Sequence, residues 1–173
     1  MTTRIEGRAR RLGDHVNTDY IIASRRKRDS LDESVLKQYI FEAIDPAFAR
    51  SVEPGDVLVA GRNFGCGSAM EIAATVLLAA GFRVVLAESF ARSFFRNAVN
   101  NGLAPIVVPT GGCLEGDRIV VEAGEAGVTL QNDRTGARVS GPSLPPTMAA
   151  ILAAGGLVPY VRLHGGLPVI PGA

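Results

Sequence analysis

The sequence predicts an α/β fold, with a central β-α-β-α-β unit of parallel strands followed by a small antiparallel β meander. Three observations carry this. Between about residues 57 and 108, short apolar runs alternate with longer Ala- and Leu-rich or amphipathic segments, the pattern of strands joined by crossover helices. After Pro109-Thr-Gly-Gly112 the texture changes to short β-like runs separated by turn residues, as in a meander. The chain has 173 residues, 47% of them hydrophobic and 20% charged, which is the size and composition of one globular domain.

Taken in order, residues 3–12 form a loosely alternating first strand, broken by Gly13-Asp14, a turn signal. Val16-Asn-Thr-Asp19 sets polar, capping residues before an apolar run, and Arg25, Arg26, Lys27 and Arg28 then make a basic loop. Leu31, Val35, Leu36, Tyr39, Ile40 and Ala43 recur at helical spacing after Asp29-Ser30, so a short amphipathic helix is expected over 31–43. Val57-Leu-Val-Ala-Gly61 reads as a buried strand, and a Gly-rich loop leads from it into a helix over 72–80 that stops at Gly81. A strand at 83–88, a helix at 90–100 stopped by Gly102 and a strand at 104–108 complete the parallel unit. Runs at 118–122, 127–130 and 137–140 form the meander, and a last helix spans 146–154 and ends at Gly155-Gly156. The domain is expected to occupy residues 1–164, with a loose Gly/Pro tail over 165–173.

Charge and composition exclude several functions. Lys and Arg total 18 against 17 Asp and Glu, so no global field exists to hold a nucleic-acid backbone or an anionic membrane. The longest apolar stretches, 72–82 and 148–158, fall short of the ~20 residues needed to span a bilayer. The N-terminal segment lacks an apolar h-region, which predicts no secretory signal and a cytoplasmic location. The two cysteines, Cys66 and Cys113, are expected as reduced thiols, and they are too few to hold an iron–sulfur cluster, which takes three or four thiolates.

The chemistry concentrates in Gly61-Arg-Asn-Phe-Gly-Cys-Gly-Ser68-Ala-Met-Glu71. Small residues let a ligand approach the backbone closely, and the loop opens a helix whose free N–H groups favour an oxyanion or carboxylate. Ser68 either caps that helix or faces the ligand as an acid/base group. The loop matches neither a P-loop nor the dinucleotide-binding glycine spacing. Cys66, between two glycines, could be a nucleophile in a hydrolase if a histidine reached it. The candidates are His15 and His164. No His/Cys/Asp/Glu cluster has metal-ligand spacing.

Four motifs in register are similar to one family. Asn17-Thr-Asp-Tyr-Ile-Ile22, Gly61-x-Asn-Phe-Gly-Cys-Gly-Ser68, Ala87-Glu-Ser-Phe-Ala-Arg-x-Phe-x-Arg-Asn-Ala-x-x-Asn-Gly-Leu103 and Ala154-Gly-Gly-Leu-x-Pro-Tyr160 resemble the small subunit of 3-isopropylmalate dehydratase over about residues 4–162. The resemblance implies the swivelling β/β/α domain of the aconitase superfamily and a large partner subunit carrying a [4Fe–4S] cluster, with no metal bound by this chain alone. It implies a di- or tricarboxylate substrate and a hydro-lyase reaction through a cis-alkene. By the same resemblance Ser68 is the base, Asp19 a catalytic charge partner, and Cys66 and Gly67 shape the substrate site. Asp19 could equally be only a helix or turn cap. A homo-oligomer of the isolated chain stays open.

The sequence departs from the family at two places. Where the family continues Gly-Ser-Ser-Arg-Glu-His, this chain reads Gly67-Ser68-Ala69-Met70-Glu71-Ile72, without the arginine that grips a substrate carboxylate, a contact worth roughly 1.5–3 kcal/mol. The loop that sets substrate preference in the family reads Arg25-Arg26-Lys27-Arg28 here. Arg25 matches the family's arginine, and Arg26 or Arg28 is expected to restore the missing positive charge unless the loop is simply solvated. The default substrate is 3-isopropylmalate. The alternatives are dimethylmalate, a homoaconitate-like acid, or a non-catalytic binding or regulatory subunit.

Overall fold

The computed structural model describes residues 3–167. One seven-stranded sheet organises the chain, in the order β4-β3-β2-β1-β5-β6-β7. The strands are β1 (Thr3–Arg11), β2 (Val57–Val59), β3 (Val84–Ala87), β4 (Ala104–Val107), β5 (Arg118–Gly124), β6 (Gly127–Asn132) and β7 (Arg138–Gly141). The parallel unit and the meander are both present, and β1 splices them together. Its residues Ala9–Arg11 run parallel to β2, while Thr3–Arg8 pair antiparallel with β5.

Period-2 alternation divides the apolar residues between two cores. Leu58 and Val85 point to the helical side, with Phe41, Phe64, Phe82 and Phe94. Val57, Val59, Val84 and Leu86 point to the other side, where they meet Ile119, Val121, Val128 and Leu130 of the meander. The sheet curls around this second core until its edges approach, and a Cβ on Gly141 of β7 would strike the Val107 carbonyl of β4.

The helices are α1 (Thr18–Ile21), α2 (Glu33–Leu36), α3 (Ile72–Ala79), α4 (Arg92–Asn101), α5 (Pro146–Ala153) and α6 (Leu157–His164). The helix expected over 31–43 is shorter than its periodicity suggests. Asp32 supplies the N-cap by accepting from Ser34 N at 2.8 Å. After α2 the chain tightens into a 3₁₀ turn over Lys37–Tyr39 and leaves the helical path at Phe41, whose φ is +56°. Burial of Phe41 and its backbone bond to Ile21 O outweigh the helical pattern there.

The chain also restarts as a helix, α6, after the expected stop at Gly155-Gly156, and α6 lies at 91° to α5. Both glycines have positive φ, and a Cβ on Gly102 would collide with the Gly155 backbone in the α5–α6 turn, as one on Gly156 would with the end of α4 at Asn100–Gly102, so close packing of α4 demands glycine here. Pro159 sits in the first turn of α6, where its missing N–H costs nothing. Most of the expected tail, residues 168–173, lies outside the described residues. Among the described residues no single helix is long and apolar enough to cross a membrane.

Candidate active site

Parallel pairing of β1, β2 and β3 brings the loops at their C-terminal ends to one edge of the sheet, the usual place for ligands in parallel α/β sheets. Short backbone bonds fasten these loops together. Gly65 N donates to Val16 O at 2.8 Å, Thr18 N to Cys66 O at 2.8 Å, Phe64 N to Ser89 O at 3.0 Å and Ala91 N to Phe64 O at 2.9 Å.

Glycine is required twice in the central loop. Gly65 (φ +76°) lies on the Phe94 ring, and Gly67 (φ +94°) lies on the Asn17 side chain, where added Cβ atoms would overlap their neighbours. Two larger residues at the same edge, His15 (φ +54°) and Asn63 (φ +55°), also adopt left-handed backbone, and their side chains meet at 3.2 Å.

Ser68 follows Gly67 and is exposed. Its carbonyl accepts from Thr18 Oγ1 and from Met70 N, each at 2.9 Å. The hydroxyl does not cap α3, because the helix begins at Ile72 with Glu71 in the capping position and no side-chain cap bond. Ser68 is thus held by its backbone with its side chain directed at no intrahelical partner. Cys66 is half-buried beside it, bridged through its backbone to Asn17. Neither histidine is hydrogen-bonded to Cys66: His15 contacts Asn63, and His164 stacks on Tyr160 in α6. Cys113 is buried on the meander side, where burial, reinforced by Asp117, pushes its thiol up.

Asp19 accepts from both the hydroxyl and the N–H of Ser24. These bonds, with the Lys27 ammonium behind them, hold its carboxyl below the usual carboxylate range. Asp19 therefore fastens the start of the basic segment, while Asn17 Oδ1 caps α1 through Asp19 N.

The basic segment is a 3₁₀ helix over Ser24–Arg28, and its three-residue period sorts the charges. Arg26 lies flat over Tyr39, 3.8 Å from the ring centroid, and donates to both Glu42 oxygens at 3.0 and 2.6 Å. Arg25 reaches the same carboxylate at 3.0 Å. Arg28 is exposed. Ser24 and Lys27, three apart, both face Met70 Sδ, at 3.5 and 3.4 Å. A cleft of about 570 Å³ opens there, bordered by Lys27, Leu31, Ala69, Met70 and Ile72. Thr18, Lys27 and Glu42 were not singled out from the sequence. The i, i+3 relation of Ser24 to Lys27 is the signal that could have found the lysine.

Residues 12–111 match the model of the aconitase C-terminal domain family. The chain belongs to that family. It is 43% identical over 159 residues to the 3-isopropylmalate dehydratase small subunit of Desulfovibrio desulfuricans, covering 91% of this chain and 94% of that protein. It is 42% identical over 167 residues to the isopropylmalate/citramalate isomerase small subunit of Methanocaldococcus jannaschii, covering 94% of this chain and 96% of the relative. The crystal structure of a 3-isopropylmalate dehydratase from the same archaeon superposes with a TM-score of 0.84 at 38% identity, over 94% of this chain and 96% of that one. Family members thus align with this chain across both the parallel unit and the meander.

The family implies an iron–sulfur cluster. A cluster takes three or four thiolates, whereas this chain has two cysteines, and the described residues contain no group of three His, Cys, Asp or Glu side chains placed to hold a metal. The residues present do not fit a cluster held by this chain alone.

Proposed function

We propose that this chain is the small subunit of a two-subunit, cytoplasmic hydro-lyase that interconverts 2- and 3-isopropylmalate, a step of leucine biosynthesis. The observation that carries the reading is Ser68, presented at the C-terminal edge of the parallel strands on a loop with two obligatory glycines and free of any capping role. In a full-length relationship at about 40% identity with dehydratase small subunits, that placement supports Ser68 as the base.

Its Oγ would take the proton from the carbon beside a substrate carboxylate as the hydroxyl on the neighbouring carbon leaves, so that one water is lost and a cis-alkene forms. Rehydration in the opposite sense places the hydroxyl on the adjacent carbon. A [4Fe–4S] cluster on a large partner subunit would supply the Lewis acid for the departing hydroxyl. Asp19, kept ionised by Ser24 and Lys27, would hold the basic turn and its charge beside the site. Cys66 and Gly67 would form the floor against which substrate lies. The basic turn would supply positive charge for the substrate carboxylates, with Arg25 and Arg26 tethered to Glu42 and Arg28 facing solvent.

The test is anaerobic co-purification of the chain with its partner, followed by iron and sulfide determination and an alkene-absorbance assay on isopropylmalate, dimethylmalate and homocitrate. A large iron–sulfur partner and preferential turnover of isopropylmalate are expected. Preference for another acid would reassign the substrate, and an iron-free partner with no dehydration of any acid would overturn the enzymatic reading.

A further inference from the structure

The residue that caps α1 uses only half of its side chain. Asn17 Oδ1 accepts from Asp19 N at 2.9 Å, and this bond fixes which way round the amide sits, with its oxygen toward α1 and its nitrogen away from it. Nδ2 donates to no group among the described residues, and since no buried side-chain nitrogen there lacks a partner, it is open to solvent. The cap does not account for that nitrogen, because Asn, Asp and Ser cap about equally well. Two N–H donors are left for a ligand. They belong to the side chain and not to the backbone of α1, which is a single turn.

The amide lies beside Ser68. Asn17 is bridged through its backbone to Cys66, and its side chain rests on Gly67, where a Cβ would stand 2.7 Å from both Cγ and Nδ2. Glycine at 67 therefore does more than adopt a φ of +94°. It clears the space that the amide fills, one residue before Ser68, on a stretch where Gly67 and Ser68 are both exposed. The next two side chains, Ala69 and Met70, carry no N–H or O–H, so the loop itself offers little to a charged substrate.

We propose that Asn17 is a catalytic residue whose Nδ2 donates to the carboxylate on the carbon that Ser68 deprotonates. As the C–H bond breaks, the proton passes to Ser68 Oγ and the electron pair is shared with that carboxylate before it closes the alkene and the neighbouring C–O bond breaks. Charge on the carboxylate oxygens therefore rises in the transition state, and a neutral donor already fixed against the loop stabilises it without reorganising. The proposal deepens the hydro-lyase reading and rests on it for the reaction. An interaction that strengthens only as the charge develops appears in kcat and little in KM.

The experiment compares wild-type, Asn17→Ala, Asn17→Ser and Asn17→Asp small subunits, each reconstituted anaerobically with the large subunit. Thermal midpoints of the small subunits and steady-state turnover of 2- and 3-isopropylmalate are measured on the same preparations. Asn17→Ala loses both the cap and the donor, so its midpoint and its kcat should both fall. Asn17→Ser and Asn17→Asp restore the cap and should return the midpoint to within about 2 °C of wild type, while kcat stays down by about 10²–10³-fold, the usual loss for one such donor. KM should stay within about threefold of wild type in Asn17→Ser and rise in Asn17→Asp, whose carboxylate repels that of the substrate. Recovery of kcat together with the midpoint in Asn17→Ser and Asn17→Asp would reduce Asn17 to a cap and overturn the assignment, as would a rise in KM alone in Asn17→Ser. A wild-type complex that dehydrates no acid would overturn the hydro-lyase reading, and this assignment with it.

Discussion

The hydroxyl of Thr18 donates to the carbonyl of Ser68 at 2.9 Å, across 50 residues of sequence. This bond, with Thr18 N to Cys66 O at 2.8 Å, ties the first loop of the sheet edge to the second and sets the direction in which Ser68 leaves the backbone. Thr18 is buried, so Thr18→Val keeps its shape and removes only the donor. Ser68 O keeps its bond from Met70 N, so we expect a loss of about 0.5–1.5 kcal/mol in unfolding free energy, the net worth of one hydrogen bond, and a fall in kcat larger than any change in KM. Urea denaturation and steady-state kinetics on the same preparations check both.

Ser68→Ala should separate chemistry from folding. Because the Ser68 hydroxyl caps no helix, its removal is expected to leave the thermal midpoint within about 1 °C, whereas loss of a general base lowers kcat by about 10²–10⁴-fold. A complex of Ser68→Ala that turns over at the wild-type rate would remove the serine from the mechanism.

Gly67→Ala is expected to damage both. A Cβ at φ +94° is strained whatever the space, and here it would also overlap the Asn17 side chain. A left-handed non-glycine residue costs of order 1–3 kcal/mol, and Asn17 can yield only by giving up its cap on Asp19 N. Reduced stability in urea together with weakened substrate binding is the expected pair of results.

Glu42→Gln tests the clasp. It removes the charge that holds Arg25 at 3.0 Å and Arg26 at 2.6 Å, so the 3₁₀ turn over Ser24–Arg28 should loosen. Limited proteolysis with trypsin, which cuts after Lys and Arg, should nick this turn several-fold faster than in the wild type, with little change in cleavage elsewhere.

On the far side of the molecule, Asp117 should govern acid stability. Arg134, the Leu114 N–H and Asn132 hold its carboxyl far below its ordinary value of 3.8. A depressed native pKa contributes stability that is fully present above the unfolded value and is lost as pH falls through the native one. Asp117→Asn should therefore be less stable than wild type at pH 7, and the difference should shrink as pH is lowered below 3.8. Chemical denaturation at a series of pH values measures this, and a difference independent of pH would exclude Asp117 as the titrating group.

The sequence by itself determined the parallel unit, the meander and the loop that presents Ser68. Each is encoded locally, by apolar runs of period 2 or 3.6 and by glycines at positions where left-handed backbone or close approach is required. It also marked the basic segment, although not which of its charges faces the site. Tertiary structure alone decided three things. Splitting β1 between a parallel and an antiparallel neighbour depends on partners 48 to 120 residues distant in the chain, as with Arg11 opposite Val59 and Thr3 opposite Ala123, and no local pattern specifies them. Restart of the chain as α6 after Gly155-Gly156 accompanies the packing of Gly156 against the end of α4, so the residues that stop α5 are also a contact. Arg26 was legible as a charge, but its pairing with Glu42 and its stacking on Tyr39 arise because Phe41 is drawn into the core and the helical pattern over 31–43 breaks. Burial of one phenylalanine outweighs a local helical preference, and its neighbour Glu42 is thereby free to hold Arg25 and Arg26.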